Sequence, residues 1–191
     1  GGYLHHPSFD LPDADAEFDP RPVLAAASEY PLGYMPDDLT RDCGKRMHYA
    51  AYRAREATTT RERRRWQKVY FALRDRIVLG NQKLVYKAVR YRKAWQIRSD
   101  DLVGEGYVVI INAVERYNPW LGVRFSTYAF TCLMRALSRL SQRHAADRLS
   151  QSLPLDALPD GEPRDVETEE APTVPLERID TYLRPDDRLL S

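Results

Sequence analysis

Cysteine is scarce in this sequence, and its scarcity excludes several classes of site. Cys43 and Cys132 are the two present, and neither has a Cys or His nearby at the spacing of metal ligands. We expect a protein of a reducing compartment with no metal and no other cofactor. The sequence also lacks an apolar run near the roughly 20 residues that cross a bilayer, and it lacks a signal-peptide pattern. A soluble cytoplasmic protein without membrane contact is therefore expected.

Proline is missing from residues 37–118, and this gap divides the chain into parts. Residues 1–36 hold six prolines among scattered acids, which leaves room for at most a short helix around 23–30. We expect a flexible acidic arm there. Residues 149–191 again combine prolines with acids and predict a disordered acidic linker. The packed part of the chain is expected at residues 37–148.

The overall charge of +1 hides a strongly uneven distribution. Residues 41–148 contain 24 basic and 9 acidic residues, a net charge of +15, whereas both flanking segments are acidic. Such a block is typical of a polyanion binder, because each neutralised phosphate releases condensed counterions. Charge alone leaves a second interpretation open, which is a solvated charged surface.

Apolar residues that recur at three- and four-residue steps predict an all-α fold, with a compact helical domain between disordered acidic segments. The helices are predicted at residues 37–56, 61–79, 84–95, 99–117 and 128–148. The run Tyr107–Ile111 would suit a strand on propensity, but the helical period on either side favours a helix. The candidate N-caps are Asp37 or Asp38, Ser99 or Asp100, and Ser126 or Thr127.

Four short motifs follow one another between Asn81 and Ala129: N-Q-K-L-V, D-D-L-V-G-E-G, A-V-E-R-Y and G-V-R-F-S-T-Y-A. In order and spacing they resemble region 2 of the sigma-70 family of bacterial RNA polymerase sigma factors. The helical stretch Leu39–Ala54 resembles region 1.2 of the same family less specifically. The resemblance covers roughly residues 37–145, and four motifs in register make chance a poor explanation.

The resemblance implies that this region docks on core RNA polymerase and binds the non-template strand of the promoter minus-ten element. Aromatic rings beside a basic helix suit the capture of unpaired bases. The DNA-binding positions that it implies are Asn81, Lys83, Leu84, Tyr117, Arg124, Ser126, Thr127, Tyr128, Arg135, Ser138 and Arg139. Core packing is an alternative role for any single ring, and we expect Phe125 to be mostly buried.

A second set of residues is implied to contact the polymerase. Asp101 and Glu105 lie four apart on one helical face, and the resemblance implies that this face, with Leu102 and Gly106, docks on the coiled-coil clamp of the beta-prime subunit. Two alternatives stay open, a solvated acidic face and the metal-binding carboxylates of a nuclease. The latter lacks a third acid or a His at workable spacing. We therefore expect a non-enzymatic transcription initiation factor, with an anti-sigma factor as a candidate further partner.

The sequence departs from the family pattern at several points. Primary sigma factors carry two tryptophans directly after the S-T-Y-A-T motif, where this chain has Thr131 and Cys132, and Arg135 replaces an expected glutamine. These differences indicate an alternative rather than a primary factor with its own promoter preference, since Arg favours guanine edges or phosphates. Residues 149–191 resemble the acidic inter-domain linker, and the chain is either truncated before a minus-thirty-five-binding domain or a natural minimal form. A sigma-like adaptor, which recruits polymerase through another DNA-targeting partner, is the alternative function.

Overall fold

The computed structural model describes residues 2–91 and 99–152, and the side chains of these residues as far as Arg148. Within these ranges the chain forms helices and no strands, so the predicted all-α fold is confirmed. A 3-10 turn at Pro7–Asp10 precedes seven helices: α1 (Ala14–Glu17), α2 (Pro20–Ser28), α3 (Asp37–Glu56), α4 (Thr60–Asn81), α5 (Lys83–Tyr91), α6 (Ser99–Arg116) and α7 (Phe125–Ser152). The predicted end of the third helix at 92–95 and most of the acidic linker lie outside the described residues.

Helices α3 and α4 form a long hairpin that contributes buried residues to the core. Cys43, Met47 and Ala50 of α3 are buried at three- and four-residue steps, and they share a core cluster with Leu73 and Ile77 of α4. The hydroxyl of Thr59 accepts a hydrogen bond from the Glu62 amide at 3.2 Å and caps α4. The Thr58–Thr60 interruption predicted from the sequence therefore separates the helices.

Helices α5 and α6 pack together against this hairpin. Val85, Ala88 and Val89 form the buried face of α5, and Leu102 and Ile110 lie on the buried face of α6. The contact is closest at Gly106, where an added Cβ would lie 2.6 Å from Val85 Cγ1. Only glycine allows this approach. The run 107–111, which propensity alone assigns equally to a strand, lies inside α6.

Helix α7 completes the core with a stripe at four-residue steps. Phe125, Ala129, Leu133 and Leu137 are all buried, as expected for Phe125. The amide of Phe125 donates to Asp37 Oδ1 at 3.2 Å, a contact across 88 positions of sequence. Asp37 thus satisfies one amide in the first turn of α7. The sequence assigned Asp37 or Asp38 to the N-cap of α3, a position that Pro36 holds without a side-chain hydrogen bond.

The N-terminal segment differs from the flexible arm that its composition predicts. Phe9, Ala14 and Phe18 are buried in a cluster with Tyr49 of α3, and Val23 and Ala27 of α2 belong to the main core. The reason is that Pro7 and Pro20 begin helical turns, where the missing amide costs little, while Phe9, Phe18 and Val23 become buried. None of the described helices is long and apolar enough to span a membrane.

Candidate nucleic-acid interface

The α4–α5 junction and the start of α7, which are about 40 positions apart in sequence, are linked by one short segment. The Gly33 amide donates to Leu79 O at 2.8 Å near the junction, and Asp37 accepts from Phe125 at the start of α7. Four residue steps of extended chain reach at most about 14 Å. The implied DNA-binding residues near the α4–α5 junction and those near the start of α7 therefore lie on neighbouring parts of the surface.

The α4–α5 junction combines an exposed lysine, Lys83, with a buried asparagine side chain, Asn81. Asn81 is 9% exposed, and its Nδ2 donates to Ile77 O at 2.9 Å. Lys83 is exposed, and its stem crosses Gly33, where φ is 86° and an added Cβ would lie 2.9 Å from Lys83 Cγ. Leu84 is half-buried. Lys83 is thus the member of this group that presents a charge to solvent, and Asn81 stabilises the turn beneath it.

Three aromatic rings meet at the start of α7. Tyr117 packs edge-on against Phe125, with centroids 5.2 Å apart, and lies 6.0 Å from Tyr128. The Tyr117 hydroxyl donates to Val123 O at 2.7 Å, and only 3% of the residue is exposed. Core packing covers most of its ring, and its contact with a base stays a prediction. Tyr128 is half-buried, and burial raises the pKa of its hydroxyl, so it stays neutral and offers the accessible part of this aromatic group.

Helix α7 presents a row of arginines. Arg139 and the preceding Arg124 are exposed, and Arg135 is half-buried. None of the three lies within ion-pair distance of a carboxylate in the described part of the chain. The polar residues between them are Ser126 and Ser138, both half-buried, and the exposed Thr127. The surface is positive and lacks internal compensation, which suits contact with phosphates.

The two positions that carry tryptophan in primary factors carry small side chains here. Thr131 Oγ1 donates to Thr127 O at 3.0 Å, so its hydroxyl is held against the helix backbone. Cys132 is half-buried beside Tyr128, and burial raises the pKa of its thiol. Neither side chain is large enough to enter a base stack.

The implied polymerase-docking residues divide into two pairs. Asp101 is exposed and Glu105 is half-buried, whereas Leu102 is 1% exposed and Gly106 is packed on Val85. Leu102 and Gly106 thus hold α6 in the core, and their contact with the polymerase stays a prediction. Glu105 also lines a groove of about 590 Å³ whose other wall is α7. The remaining lining residues are Ala136, Arg139, Gln142, Arg143 and Ala146.

The geometry defines a class of protein, namely an all-helical domain with two distinct surfaces. One is basic and aromatic, and its arginines have no described acidic partner. The other is the acidic edge of α6. Residues 77–146 match the family described as Sigma-70 region 2. The RNA polymerase sigma factor SigA4 of Synechococcus elongatus is 29% identical over 72 residues, which cover 38% of this chain and 23% of that relative. The match thus spans under a quarter of the relative's length. The resemblance to sigma-70 region 2 seen in the four motifs is therefore confirmed over residues 77–146.

Two features of this surface were missed by sequence reasoning. The role of Asp37 at α7 had no signal, because its partner lies 88 positions away. The outer face of α5 did carry one, since Lys83, Tyr86, Lys87 and Arg90 recur at three- and four-residue steps. Of these four residues, the motifs singled out Lys83 alone.

Proposed function

We propose that this chain acts as an RNA polymerase sigma factor module, which binds core polymerase and captures non-template bases of the promoter minus-ten element. The proposal rests on one observation, which is that the sequence match and the basic aromatic surface fall on the same helices. The helices that match region 2 also present Tyr128 among arginines that have no described carboxylate partner. Binding, and not catalysis, is the expected activity.

The proposed capture step depends on stacking and charge. Unpairing and unstacking a base costs a few kcal/mol, and an aromatic surface in a positive groove offsets this cost. Tyr128 and Arg124 would hold the extruded base of the minus-ten element, with Tyr117 supporting Tyr128 from the core. Lys83, Leu84 and Ser126 would line the pocket for a second flipped base, above Asn81.

The remaining positions would orient the duplex. Arg135, Ser138 and Arg139 face outward along α7, where arginine can bind phosphates or a guanine edge. Thr127 adds a polar group beside Tyr128. Because Thr131 and Cys132 cannot act as wedges, strand opening would depend on base capture and on the polymerase itself.

The proposed polymerase contact is the acidic edge of α6. Asp101 and Glu105 would meet cations on the beta-prime coiled coil, and complementary charge would orient the two surfaces. Leu102 and Gly106 would act indirectly, since they fix the helix that carries both acids. Charge reversal at Glu105 should weaken the complex, whereas the same change at the exposed Glu56 of α3 should not.

One observation favours the adaptor alternative, namely the small side chains at positions 131 and 132. An adaptor needs the acidic edge of α6 but has no use for the aromatic group at the start of α7. The two functions therefore differ in what happens when Tyr128 is changed.

The proposal is tested by pull-down of core RNA polymerase with the purified chain, followed by selection from a fork-junction DNA library. Retention of polymerase with selection of a defined non-template motif supports a promoter-reading sigma factor. Retention without sequence selection supports the adaptor. Failure to retain polymerase would show that the chain shares the fold of region 2 without its function.

A further inference from the structure

The outer face of α5 combines rings and cations in alternation. Lys83, Tyr86, Lys87, Arg90 and Tyr91 lie on the side of the helix opposite to the buried Val85, Ala88 and Val89, and we call these five residues the α5 strip. They line a shallow groove of about 660 Å³. Its position continues the interface proposed above, since Lys83 belongs to both.

The strip is open and its charges are not neutralised internally. Tyr86 is 48% and Tyr91 is 67% exposed, although large aromatic residues are usually buried. Lys83, Lys87 and Arg90 are exposed, and no described carboxylate lies within ion-pair distance of them. A surface with this composition is suited to an anion that also has flat apolar faces.

Neighbouring side chains hold the strip in place. The hydroxyls of Tyr86 and Tyr107 are 3.3 Å apart, and Tyr107 donates to Gln82 Oε1 at 3.1 Å. Lys87 Nζ lies 5.4 Å from the centroid of Phe130, whose ring also meets Tyr91 edge-on at 5.9 Å. These contacts order the rings before any ligand binds, which lowers the entropic cost of binding.

We infer that the α5 strip binds single-stranded nucleic acid with little regard to sequence. Tyr86 and Tyr91 are five residues apart, which places them about 140° apart around the helix, so that the two rings flank the cations of the strip. Bases stack on the two rings, and Lys83, Lys87 and Arg90 contact the phosphates between them. An acidic peptide would satisfy the cations but would leave both rings without flat partners. The inference goes beyond the proposed function, because this binding requires neither polymerase nor a promoter sequence.

The test is the fluorescence anisotropy of a fluorescein-labelled twelve-residue oligo-dT, titrated with the full chain at several salt concentrations. The double variant Tyr86→Ala/Tyr91→Ala should bind at least about tenfold more weakly, since stacking on one ring alone contributes about that factor. Tyr86→Phe/Tyr91→Phe should retain the affinity, because both rings remain. Lys87→Gln and Arg90→Gln should each reduce the slope of log affinity against log salt by about 0.7.

Matched controls separate the strip from the general charge of the domain. Phe71→Ala removes a ring that is 47% exposed on α4, and Arg64→Gln removes an exposed cation of the same helix. Neither should change oligo-dT affinity as the strip variants do, and circular dichroism should show unchanged helicity for every variant. Equal losses in the controls, or unchanged binding of the double alanine variant, would overturn the inference.

Core polymerase pull-down with the same variants distinguishes this inference from the proposed function. The double alanine variant should retain polymerase while losing affinity for oligo-dT. Loss of polymerase with unchanged oligo-dT binding would show that the strip is a protein contact, and the inference would be wrong. Failure of the unmodified chain to retain polymerase would count against the proposed function alone.

Discussion

Two regions of the molecule are rich in rings and cations, yet they use them in opposite ways. In the N-terminal cluster, which consists of Phe9, Phe18, Tyr49 and their neighbours, the rings pack on one another with centroids 4.9 to 5.2 Å apart. The cations beside it are satisfied internally, since Arg53 donates to Asp15 at 2.7 Å. In the α5 strip the rings face solvent, and the cations have no described acidic partner.

This difference shows that composition alone does not identify a binding surface. Both regions are aromatic and charged in sequence. The rings and cations of the N-terminal cluster find partners within the fold, whereas those of the α5 strip face solvent. A buried ring stabilises the protein through its packing. An exposed ring beside an unpaired cation contributes little to stability and remains available to a ligand.

The largest predicted difference between the N-terminal cluster and the α5 strip is in their contribution to stability. Phe9→Ala should lower the free energy of unfolding by about 3–5 kcal/mol, because it leaves a cavity in the N-terminal cluster. Tyr91→Ala in the strip should change it by less than about 0.5 kcal/mol. Urea unfolding followed by circular dichroism measures both. Similar losses in the two variants would show that the strip is part of the packed structure.

A second prediction concerns His48, which joins the N-terminal segment to the core. The Leu4 amide donates to its Nδ1 at 3.2 Å, and its Nε2 lies 2.8 Å from Tyr117 O, where it donates. Burial lowers the pKa of His48 from 6.5 to about 4. Since the unfolded chain binds the proton more readily, stability should fall as the pH falls from about 6.5 to about 4, by roughly 3 kcal/mol in total.

The control for this prediction is His48→Gln, which can form both hydrogen bonds but does not titrate. Carboxylates titrate in the same range in both proteins, so the difference between their urea-unfolding curves isolates His48. The wild type should lose more stability than the variant between pH 7 and pH 4. Parallel pH dependences would show that the pKa of His48 is not lowered in the folded protein.

The third prediction sharpens the comparison at the start of α7, where a packed ring and an accessible ring lie side by side. Tyr128→Ala should weaken binding of the polymerase complex to fork-junction DNA by about tenfold, the effect of one lost stacking contact. Tyr128→Phe should preserve binding, because the ring is kept. Polymerase pull-down should be unchanged for both. Full DNA affinity in the alanine variant would favour the adaptor function.

The smallest predicted effect is at Asp37, which links the N-terminal half to α7. Asp37→Ala removes the acceptor for the Phe125 amide and should cost about 1 kcal/mol of stability, the usual effect of a lost helix cap. Asp38→Ala, on the neighbouring exposed position, is the matched control. Thermal unfolding of the two variants should therefore differ by several degrees. Identical melting temperatures would show that Asp37 does not stabilise the start of α7.

Local signals in the sequence predicted much of the fold. The Thr58–Thr60 break and the apolar steps of α3 and α4 were enough, because capping and periodicity act within a few residues. The N-terminal segment was misjudged for the opposite reason. Its proline and acid content suggests disorder, whereas Phe9 and Phe18 become buried only when Tyr49 is brought beside them.

The sequence motifs predicted which positions form the candidate site, but they did not predict which of those side chains are exposed. The motifs identified Tyr117, Leu102 and Gly106 along with their neighbours, yet helix packing places all three in the core. Periodicity cannot distinguish a ring that supports a surface from a ring that forms it, since adjacent turns of one helix carry both. Tyr128, Asp101 and Glu105 remain the positions from which a contact can be proposed.

The central claim is that the polymerase complex of this chain binds unpaired non-template bases. The direct measurement compares its affinity for a fork-junction DNA, with a single-stranded non-template minus-ten segment, against the same sequence as full duplex. We predict at least about tenfold tighter binding of the fork, because each captured base adds stacking without the cost of unpairing. Equal affinity for the two DNAs would contradict the claim.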